Sequence, residues 1–307
     1  MKKAIITGAT GMLGLTLAFE ALRKGDEVYA VIRPDSVRKG RLTENEHLHI
    51  VPCDLAEMKN LPNLIPRGKG VFYHMGWANT GRFRNRTEEG QNINVAFEED
   101  AVRAAAAIGC TKFIGAGSQA EYGPKEDMKI GPLTPAEPVE FYGMAKLKAM
   151  EKGKKLSEEL GMPFIWMRIF STYGPYDKST SMIAESLGKL LRGEPTAFTP
   201  ATQIWDYLYS EDAARAFYLA GEKGRSGAVY CVGSGCGRPL REFIEIMCKT
   251  VDPKAVPGIG KKPFPPGKVR NLTADITSLT ADTGFVPQVS FEEGIAKTAA
   301  FMKNAGL

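Results

Sequence analysis

The chain contains no apolar run approaching the roughly 20 residues that a bilayer-spanning helix needs, so no membrane span is expected in its 307 residues. Its opening, Met1-Lys2-Lys3-Ala4-Ile5-Ile6-Thr7-Gly8, reaches turn formers too soon for a secretory signal core, and a cytoplasmic protein is the expectation. Blocks of like charge are also missing. Lys plus Arg exceed Asp plus Glu by 40 − 35 = 5, spread along the chain, which leaves no basic arm for nucleic acid. Cysteine is sparse and odd in number: Cys53, Cys110, Cys231, Cys236 and Cys248 are expected as reduced thiols. His47, His49 and Cys53 lie close together, but no second pair follows at zinc spacing, so no metal is expected. Internal repeats and low-complexity tracts are absent. What remains, 43% hydrophobic and 24% charged, is the composition of a globular chain whose core needs no disulfide staples.

The first half alternates short β-branched or apolar runs with longer helical periodicities, the pattern of βαβ units on a parallel sheet. Strands are predicted over 3–7, 27–32, 49–52, 70–75, 112–116 and 164–169. Helices are predicted over 11–24, 91–108 and 141–160, with Gly25 and Gly109 closing the first two. Each strand is short and apolar throughout, as in a sheet covered on both faces. Beyond Gly174 the alternation loses regularity and Pro and Gly become frequent, as in Gly193-Glu194-Pro195. The stretch 256–267, rich in both, excludes a helix or a central strand and reads as a loop over a cleft or a linker. Residues 1–174 therefore form one expected domain and 175–307 a smaller one. Segments at about 203–232 return to the first, because 207–209 and 229–232 read as further strands.

Thr7-Gly8-Ala9-Thr10-Gly11-Met12-Leu13-Gly14 stands where the first strand hands over to the first helix. Gly8 suits the tight turn, Gly11 lets backbone approach a pyrophosphate, and Gly14 allows close helix packing. The phosphates would rest on the N–H groups and positive end of that helix. The fold class that follows is α/β: a Rossmann-type doubly wound parallel sheet with a smaller C-terminal substrate-binding α/β part. At the end of the second strand, Val31-Ile32-Arg33-Pro34-Asp35-Ser36 puts Arg33 at the turn, with Arg38 and Lys39 nearby. A guanidinium there favours a 2′-phosphate, so NADP(H) is favoured over NAD(H), with Asp35 the opposing feature. Asp54, after the third strand, is either a turn residue or an adenine contact.

Tyr142-Gly143-Met144-Ala145-Lys146 sets a phenol and an ammonium four residues apart on one predicted helix, hence on one face. An unperturbed tyrosine, with a pKa of about 10, is too weak an acid for efficient proton transfer near neutrality. A neighbouring cation favours the phenolate. Ser118 follows the fifth strand and could hydrogen-bond a substrate carbonyl while Tyr142 moves the proton and a nicotinamide moves the hydride. Ser118, Tyr142 and Lys146 are the candidate catalytic residues.

With these motifs the chain resembles the extended short-chain dehydrogenase/reductase family, in its nucleotide-sugar epimerase/dehydratase branch. The glycine motif, Asp54, His74-Met75-Gly76-Trp77 (where the family usually has His-Leu-Ala-Ala) and Asn94 carry the resemblance. So do Gly117-Ser118-Gln119-Ala120-Glu121-Tyr122-Gly123, Tyr142 with Lys146, and Arg168-Ile169-Phe170-Ser171-Thr172-Tyr173-Gly174-Pro175. Trp205-Asp206-Tyr207 and the closing 285–295 complete it. The resemblance implies a dinucleotide lined by Gly8, Thr10, Gly11, Met12, Leu13, Gly14, Arg33, Asp54, Leu55, Met75, Gly76, Tyr142 and Lys146. It implies a nucleotide-linked (deoxy)sugar held by Ser118, Glu121, Ser171, Trp205 and Arg270, with hydride transfer at C4. Asn94 would hold its helix against the cofactor strand.

The departures bear on the substrate. Ser171 stands for a usual Asn, and Trp205 for an Arg that contacts the substrate diphosphate in the epimerases. Pro265 falls near a second such Arg, for which Arg270 could substitute. Gln119 and Ala120 replace the Asp-Glu pair that a dehydratase would need, so epimerisation or net 4-keto reduction is expected. A reductase of a non-nucleotide ketone or aldehyde and a non-catalytic NADP-binding regulator of the same fold stay open. The resemblance also implies a homodimer through helices 91–108 and 141–160, where Ala101, Ala104, Ala105 and Ala107 would permit close helix approach.

Overall fold

Ile5 and Ile6 are both fully buried, on opposite faces of one strand, and that double burial sets the architecture. The structure, a computed structural model, describes residues 2–81, 85–125, 129–177, 180–264 and 271–306. The chain begins β1 (Lys3–Thr7), α1 (Met12–Arg23), β2 (Glu27–Ile32), β3 (Leu48–Pro52), β4 (Gly70–His74) and α2 (Glu88–Ile108). There follow β5 (Lys112–Ser118), β6 (Lys129–Ile130), α3 (Phe141–Glu159), β7 (Phe164–Ile169), β8 (Ser171–Tyr173) and α4 (Met182–Leu191). Then come β9 (Ile204–Trp205), β10 (Tyr207–Tyr209), α5 (Ser210–Lys223), β11 (Val229–Val232) and β12 (Arg238–Pro239). The last are α6 (Leu240–Val251), β13 (Asn271–Ala274), α7 (Thr277–Thr283) and α8 (Phe291–Asn304).

Seven strands form one sheet in the order β11-β7-β5-β4-β1-β2-β3, and every pairing in it is parallel. Side chains alternate between its faces. Ile6, Ala30, Tyr73, Ile114 and Ile165 pack beneath α1 and α5, and Ile5, Tyr29, Phe72, Phe113 and Trp166 beneath α2 and α3. Because both faces are covered, each strand reads as an apolar run without alternation. The strand order reverses beside β1, so the crevice beyond the carboxyl ends of β1 and β4 is where such a sheet receives a ligand.

The C-terminal part has its own core, built by α4, α6 and α8 through Ile183, Leu187, Phe243, Ile244 and Ile295. Two small sheets lie with it, β8 beside β10 and the four-stranded β12-β9-β13-β6. The returning segments differ in part from expectation. β11 does pair with β7 at the edge of the large sheet, but β10 joins β8 instead. α5 lies on α1, and α7 comes back as well, packing on α5 and β11. Within 256–264 no residue is in a helix or strand.

Candidate active site

At the exit of β1, Gly8 turns through a left-handed conformation (φ +64°) that side chains rarely adopt. A Cβ there would also lie 2.9 Å from the Cα of Gly76, so the ends of β1 and β4 approach through bare backbone. A Cβ on Gly14 would lie 2.4 Å from the Gly8 carbonyl oxygen; without one, α1 closes on the loop. Gly11 precedes α1 with extended backbone and gives no side-chain cap, and the first turn carries no acidic residue. Met12, Leu13 and Gly14 thus begin a helix whose positive end is uncompensated by protein charge. Gly76 donates its N–H to Thr7 Oγ1 (3.0 Å) and is pressed by Leu55, whose methyl would lie 2.8 Å from a Cβ on Gly76. Met75 packs half-buried on the core below α1.

Around this loop the structure distributes the expected cofactor residues unevenly. Thr10 Oγ1 lies 3.4 Å from Ser36 Oγ, and the Thr10 carbonyl accepts from Arg41 Nη1 at 3.1 Å. That guanidinium lies 4.7 Å from the centre of the Tyr176 ring, tying the glycine loop to the start of the second part. Arg33 is exposed just past β2, with Nε 3.9 Å from Asp35 Oδ1. Asp54 is a turn residue in its hydrogen bonding, its Oδ1 accepting from Ala56 N–H (3.0 Å) to cap the 3-10 helix that begins at Leu55.

Ser118 is the last residue of β5, two positions beyond the strand end read from the sequence. Its Oγ accepts from Ala120 N–H (3.2 Å), which leaves its own hydrogen to donate. Its N–H donates to Glu121 Oε1 (2.7 Å), closing a capping box on the short 3-10 turn 119–122. α3 begins hard against that turn, since a Cβ on Gly143 would lie 2.3 Å from the Ala120 carbonyl oxygen. Tyr142, beside Gly143, is half-buried, and its N–H donates to Asn85 Oδ1 (3.0 Å). One turn on, Lys146 Nζ donates to the Ala116 carbonyl of β5 (2.5 Å) and lies 6.0 Å from the centre of the Tyr142 ring. β5 therefore holds the serine and anchors the lysine, and the helix supplies the phenol.

The lysine is buried deeply. Its Nζ lies 3.5 Å from the centre of the Trp77 ring, which meets Tyr142 edge-on at 6.1 Å and is fixed by a hydrogen bond from Nε1 to Gln91 Oε1 (2.9 Å). Desolvation pushes the ammonium down to about 8, while the carboxylates of Glu98 and Glu121 resist the fall. Asn94 pins the backbone after β4, accepting from Ala78 N–H at 2.7 Å, so α2 is held to that strand as the resemblance implies.

Of the expected substrate contacts, Glu121 is corrected outright. It is fully buried, and its two oxygens accept from Ser118 N–H, Trp166 Nε1 and Arg168 Nε (2.6 Å). It positions Ser118 and has no face for a substrate. Ser171 in β8 and Trp205 in β9 are half-buried, Trp205 paired between Arg238 of β12 and Leu272 of β13. Arg270 and Pro265 lie outside the described residues. The alanines assigned to a dimer face are also corrected: Ala101, Ala104 and Ala105 pack into the monomer core, and of the four only Ala107 is exposed. His49 Nε2 lies 3.0 Å from Glu27 Oε1 and its ring stacks on Tyr29. Trp77, Gly143 and Glu98 were not expected at the site. Glu98 had one signal, an acidic residue four positions after Asn94 on the inward face of α2.

Residues 4–233 match the sequence profile of the NAD dependent epimerase/dehydratase family. The chain belongs to this family. A dTDP-glucose 4,6-dehydratase of Xanthomonas campestris is 27% identical over 197 residues, 61% of this chain and 56% of that protein. The chain thus spans little more than half the length of that relative. A UDP-glucose 4-epimerase of Mycolicibacterium smegmatis is 25% identical over 98% of this chain and 99% of its own. Among solved structures, UDP-glucuronic acid 4-epimerase from Bacillus cereus, in complex with UDP-glucuronic acid and NAD, superposes with a TM-score of 0.83 at 21% identity, covering 99% of each chain. At that identity the likeness concerns the fold. Among the described residues no helix is long and apolar enough to cross a membrane.

Proposed function

We propose that this family member is an oxidoreductase or epimerase that moves a hydride at C4 of a nucleotide-linked (deoxy)sugar, with Tyr142 as acid/base. The observation that supports the reading is that Lys146 bonds to Ala116 and Gly143 packs on Ala120, which sets the start of α3 beside the end of β5 that bears Ser118. The donor set at the crevice fits a dinucleotide diphosphate: the open first turn of α1 offers N–H groups and a positive end with no acidic side chain to compete. Gly8, Gly11, Gly14 and Gly76 would hold it there, with Leu55 and Met75 alongside.

The bound dinucleotide supplies hydride exchange. Tyr142 holds the proton that enters or leaves the C4 oxygen, and the Ser118 hydroxyl donates to the same oxygen, fixing the carbonyl as charge develops. Lys146, cationic at neutral pH, lowers the cost of the phenolate. Ala116 and Trp77 keep its ammonium in place. Glu121 holds the turn on which Ser118 sits.

NADP(H) is the preferred form in this reading, although NAD is what the Bacillus cereus neighbour holds. Arg33 and Arg38 lie exposed past β2, Arg41 reaches the Thr10 carbonyl, and Asp35 faces Arg33 with its side chain 81% exposed. A basic set of that kind suits a 2′-phosphate and a net reductase that exchanges cofactor each turnover. Dehydration is disfavoured because Gln119 and Ala120 follow Ser118. The outer faces of α2 and α3 expose Ile93 and Met144, which supports a homodimer across these helices, to be tested by sedimentation. A reductase of a non-nucleotide ketone is the second reading, favoured by Trp205 in place of a diphosphate-binding Arg. Steady-state assays of a panel of 4-keto sugar nucleotides and simple ketones, with NADPH and with NADH, test the set. Turnover of a sugar nucleotide with NADPH is expected, and turnover of none of them refutes the reading.

A further inference from the structure

Behind Lys146 lies a buried carboxyl that the proposed chemistry does not use. Glu98, on α2, is 1% exposed, and its Oε1 has no hydrogen-bond partner. Two glycines fix where it sits. A Cβ on Gly115 of β5 would lie 3.1 Å from that Oε1, and Gly115 adjoins Ala116, whose carbonyl receives Lys146. A Cβ on Gly153 of α3 would lie 3.3 Å from Glu98 Cγ, and Gly153 is two turns from Lys146 on the same helix face. The carboxyl is thus wedged between the strand and the helix that together hold the lysine.

Its other oxygen ends a chain of close polar contacts. Gly76 N–H donates to Thr7 Oγ1 (3.0 Å), which also lies 2.9 Å from His74 Nδ1. His74 Nε2 faces Glu98 Oε2 at 3.7 Å. The imidazole is buried and its pKa is pushed down to about 3 by desolvation, with Lys146 adding to the fall, so it is neutral. Gly76 backs onto Gly8, and the chain therefore runs from the dinucleotide cradle to Glu98.

We propose that Glu98 is a positioning residue for Lys146: a buried carboxyl, wedged between the strand and the helix that hold the lysine, that keeps its proton at neutral pH and ionises as the pH rises, its charge then retaining the proton on Lys146. The assignment rests on the proposed role of Lys146 beside Tyr142. The charged and titratable groups around the ammonium are few. Glu98 faces it from α2 and Tyr142 from its own helix; Glu121, from the turn after β5, is already committed to Arg168 of β7, and His74 of β4 is neutral. Trp77 and Trp166 supply uncharged rings at 3.5 and 5.9 Å. Glu98 is accordingly the adjustable charge in the set. Burial raises its own pKa to about 8, so it ionises in the range where Lys146 would otherwise lose its proton.

The test has an arm that needs no substrate. In the dinucleotide-free protein with 13C-labelled lysine, the Lys146 resonance, assigned by its loss in Lys146→Arg, is titrated in wild type and in Glu98→Gln. The midpoint falls in Glu98→Gln and recovers in Glu98→Asp, which restores the charge. An unchanged midpoint overturns the proposal. The histidine 15N spectrum is expected to show His74 neutral throughout the titrated range, and a protonated His74 there would add a second charge beside Lys146 and overturn the assignment. Should Glu98→Gln fail to fold, 13C-carboxyl titration of the wild-type protein decides. One glutamate titrating near Lys146 supports the proposal, and all glutamates titrating below about pH 6 refute it. Where a substrate turns over, the alkaline limb of kcat moves to lower pH in Glu98→Gln, roughly tenfold in rate for each unit moved, with dinucleotide affinity unchanged. Failure of every substrate in the panel leaves the lysine titration standing, so the two readings fail separately.

Discussion

Glu121→Gln is the perturbation whose consequence the structure fixes most tightly. Both carboxylate oxygens are fully buried and engaged: Oε1 by Ser118 N–H and Trp166 Nε1, Oε2 by Arg168 Nε at 2.6 Å and by the same indole at 3.1 Å. All of these partners are donors. A glutamine offers one oxygen and turns its amide N–H2 on the others, so at least one donor loses its acceptor and the buried Arg168 loses its counter-charge. Breaking a buried pair from one side costs about 3–5 kcal/mol, a large share of the 5–15 kcal/mol or so that holds a domain together. Urea denaturation at pH 7, followed by fluorescence, measures the loss. A loss under about 1 kcal/mol would mean that Arg168 has another acceptor within reach, and the reasoning would be wrong. The double variant Glu121→Leu/Arg168→Met removes both charges and is expected to recover the part of the loss due to the unpaired Arg168, but not the part due to the Ser118 and Trp166 N–H groups left without an acceptor. It is not expected to recover activity, because the Ser118 N–H still lacks its acceptor.

Other outcomes follow from the same geometry. Gly14→Ala puts a methyl 2.4 Å from the Gly8 carbonyl oxygen; an overpacking cost of about 1–3 kcal/mol should lower both stability and dinucleotide affinity by calorimetry. Gly11→Ala meets the same oxygen at 3.3 Å and should weaken dinucleotide binding with little effect on unfolding; equal losses in the two variants would contradict the assigned roles. Glu98 sets a pH dependence of stability. Its pKa is raised from 4.5 to about 8, so between these values the folded state holds a proton that the unfolded state has lost, and stability falls as pH rises. The lowered pKa of His74, from 6.5 to about 3, opposes this below pH 6.5. From pH 6.5 to 8 the Glu98 contribution leads, at most about 2 kcal/mol at 1.36 kcal/mol per unit, with Lys146, its pKa lowered to about 8, beginning to oppose it at the top of the interval. Denaturant midpoints across that interval should fall in wild type and change less in Glu98→Gln; parallel profiles would refute the assignment.

The seven-stranded sheet was legible in the sequence because its strands are buried on both faces and leave dense apolar runs between turn residues. Boundaries failed where chemistry and period disagree. α2 starts three residues before 91, since Glu88, Glu89 and Gly90 carry no apolar repeat and are held by the Thr87 cap. β5 runs on through Gly117 and Ser118 because glycines there make room for the Trp166 ring, 2.3 Å from a Cβ on either Gly115 or Gly117. Strands of two residues, such as β6, β9 and β12, have no period to read, and β10, read as a strand at 207–209, pairs with β8 rather than with the large sheet. Ser118, Tyr142 and Lys146, the proposed catalytic set, are read from spacing on one helix and one strand end. Glu121 was misread because its partner, Arg168, is 47 residues away, and an acidic residue beside a candidate serine invites a substrate role. Glu98 was missed for the same reason: its one signal was its place four positions after Asn94, and its surroundings are assembled from separate strands and helices.

The central claim is that the Tyr142 phenol, beside Lys146, exchanges a proton with the C4 oxygen of a nucleotide-linked sugar while a dinucleotide exchanges a hydride. Stopped-flow absorbance at about 340 nm in a single turnover tests it most directly. NADPH-loaded protein mixed with a 4-keto sugar nucleotide should lose the reduced-nicotinamide signal, and Tyr142→Phe should do so about 10²–10⁴-fold more slowly with NADPH affinity intact. A phenylalanine variant that turns over at the wild-type rate would contradict the account.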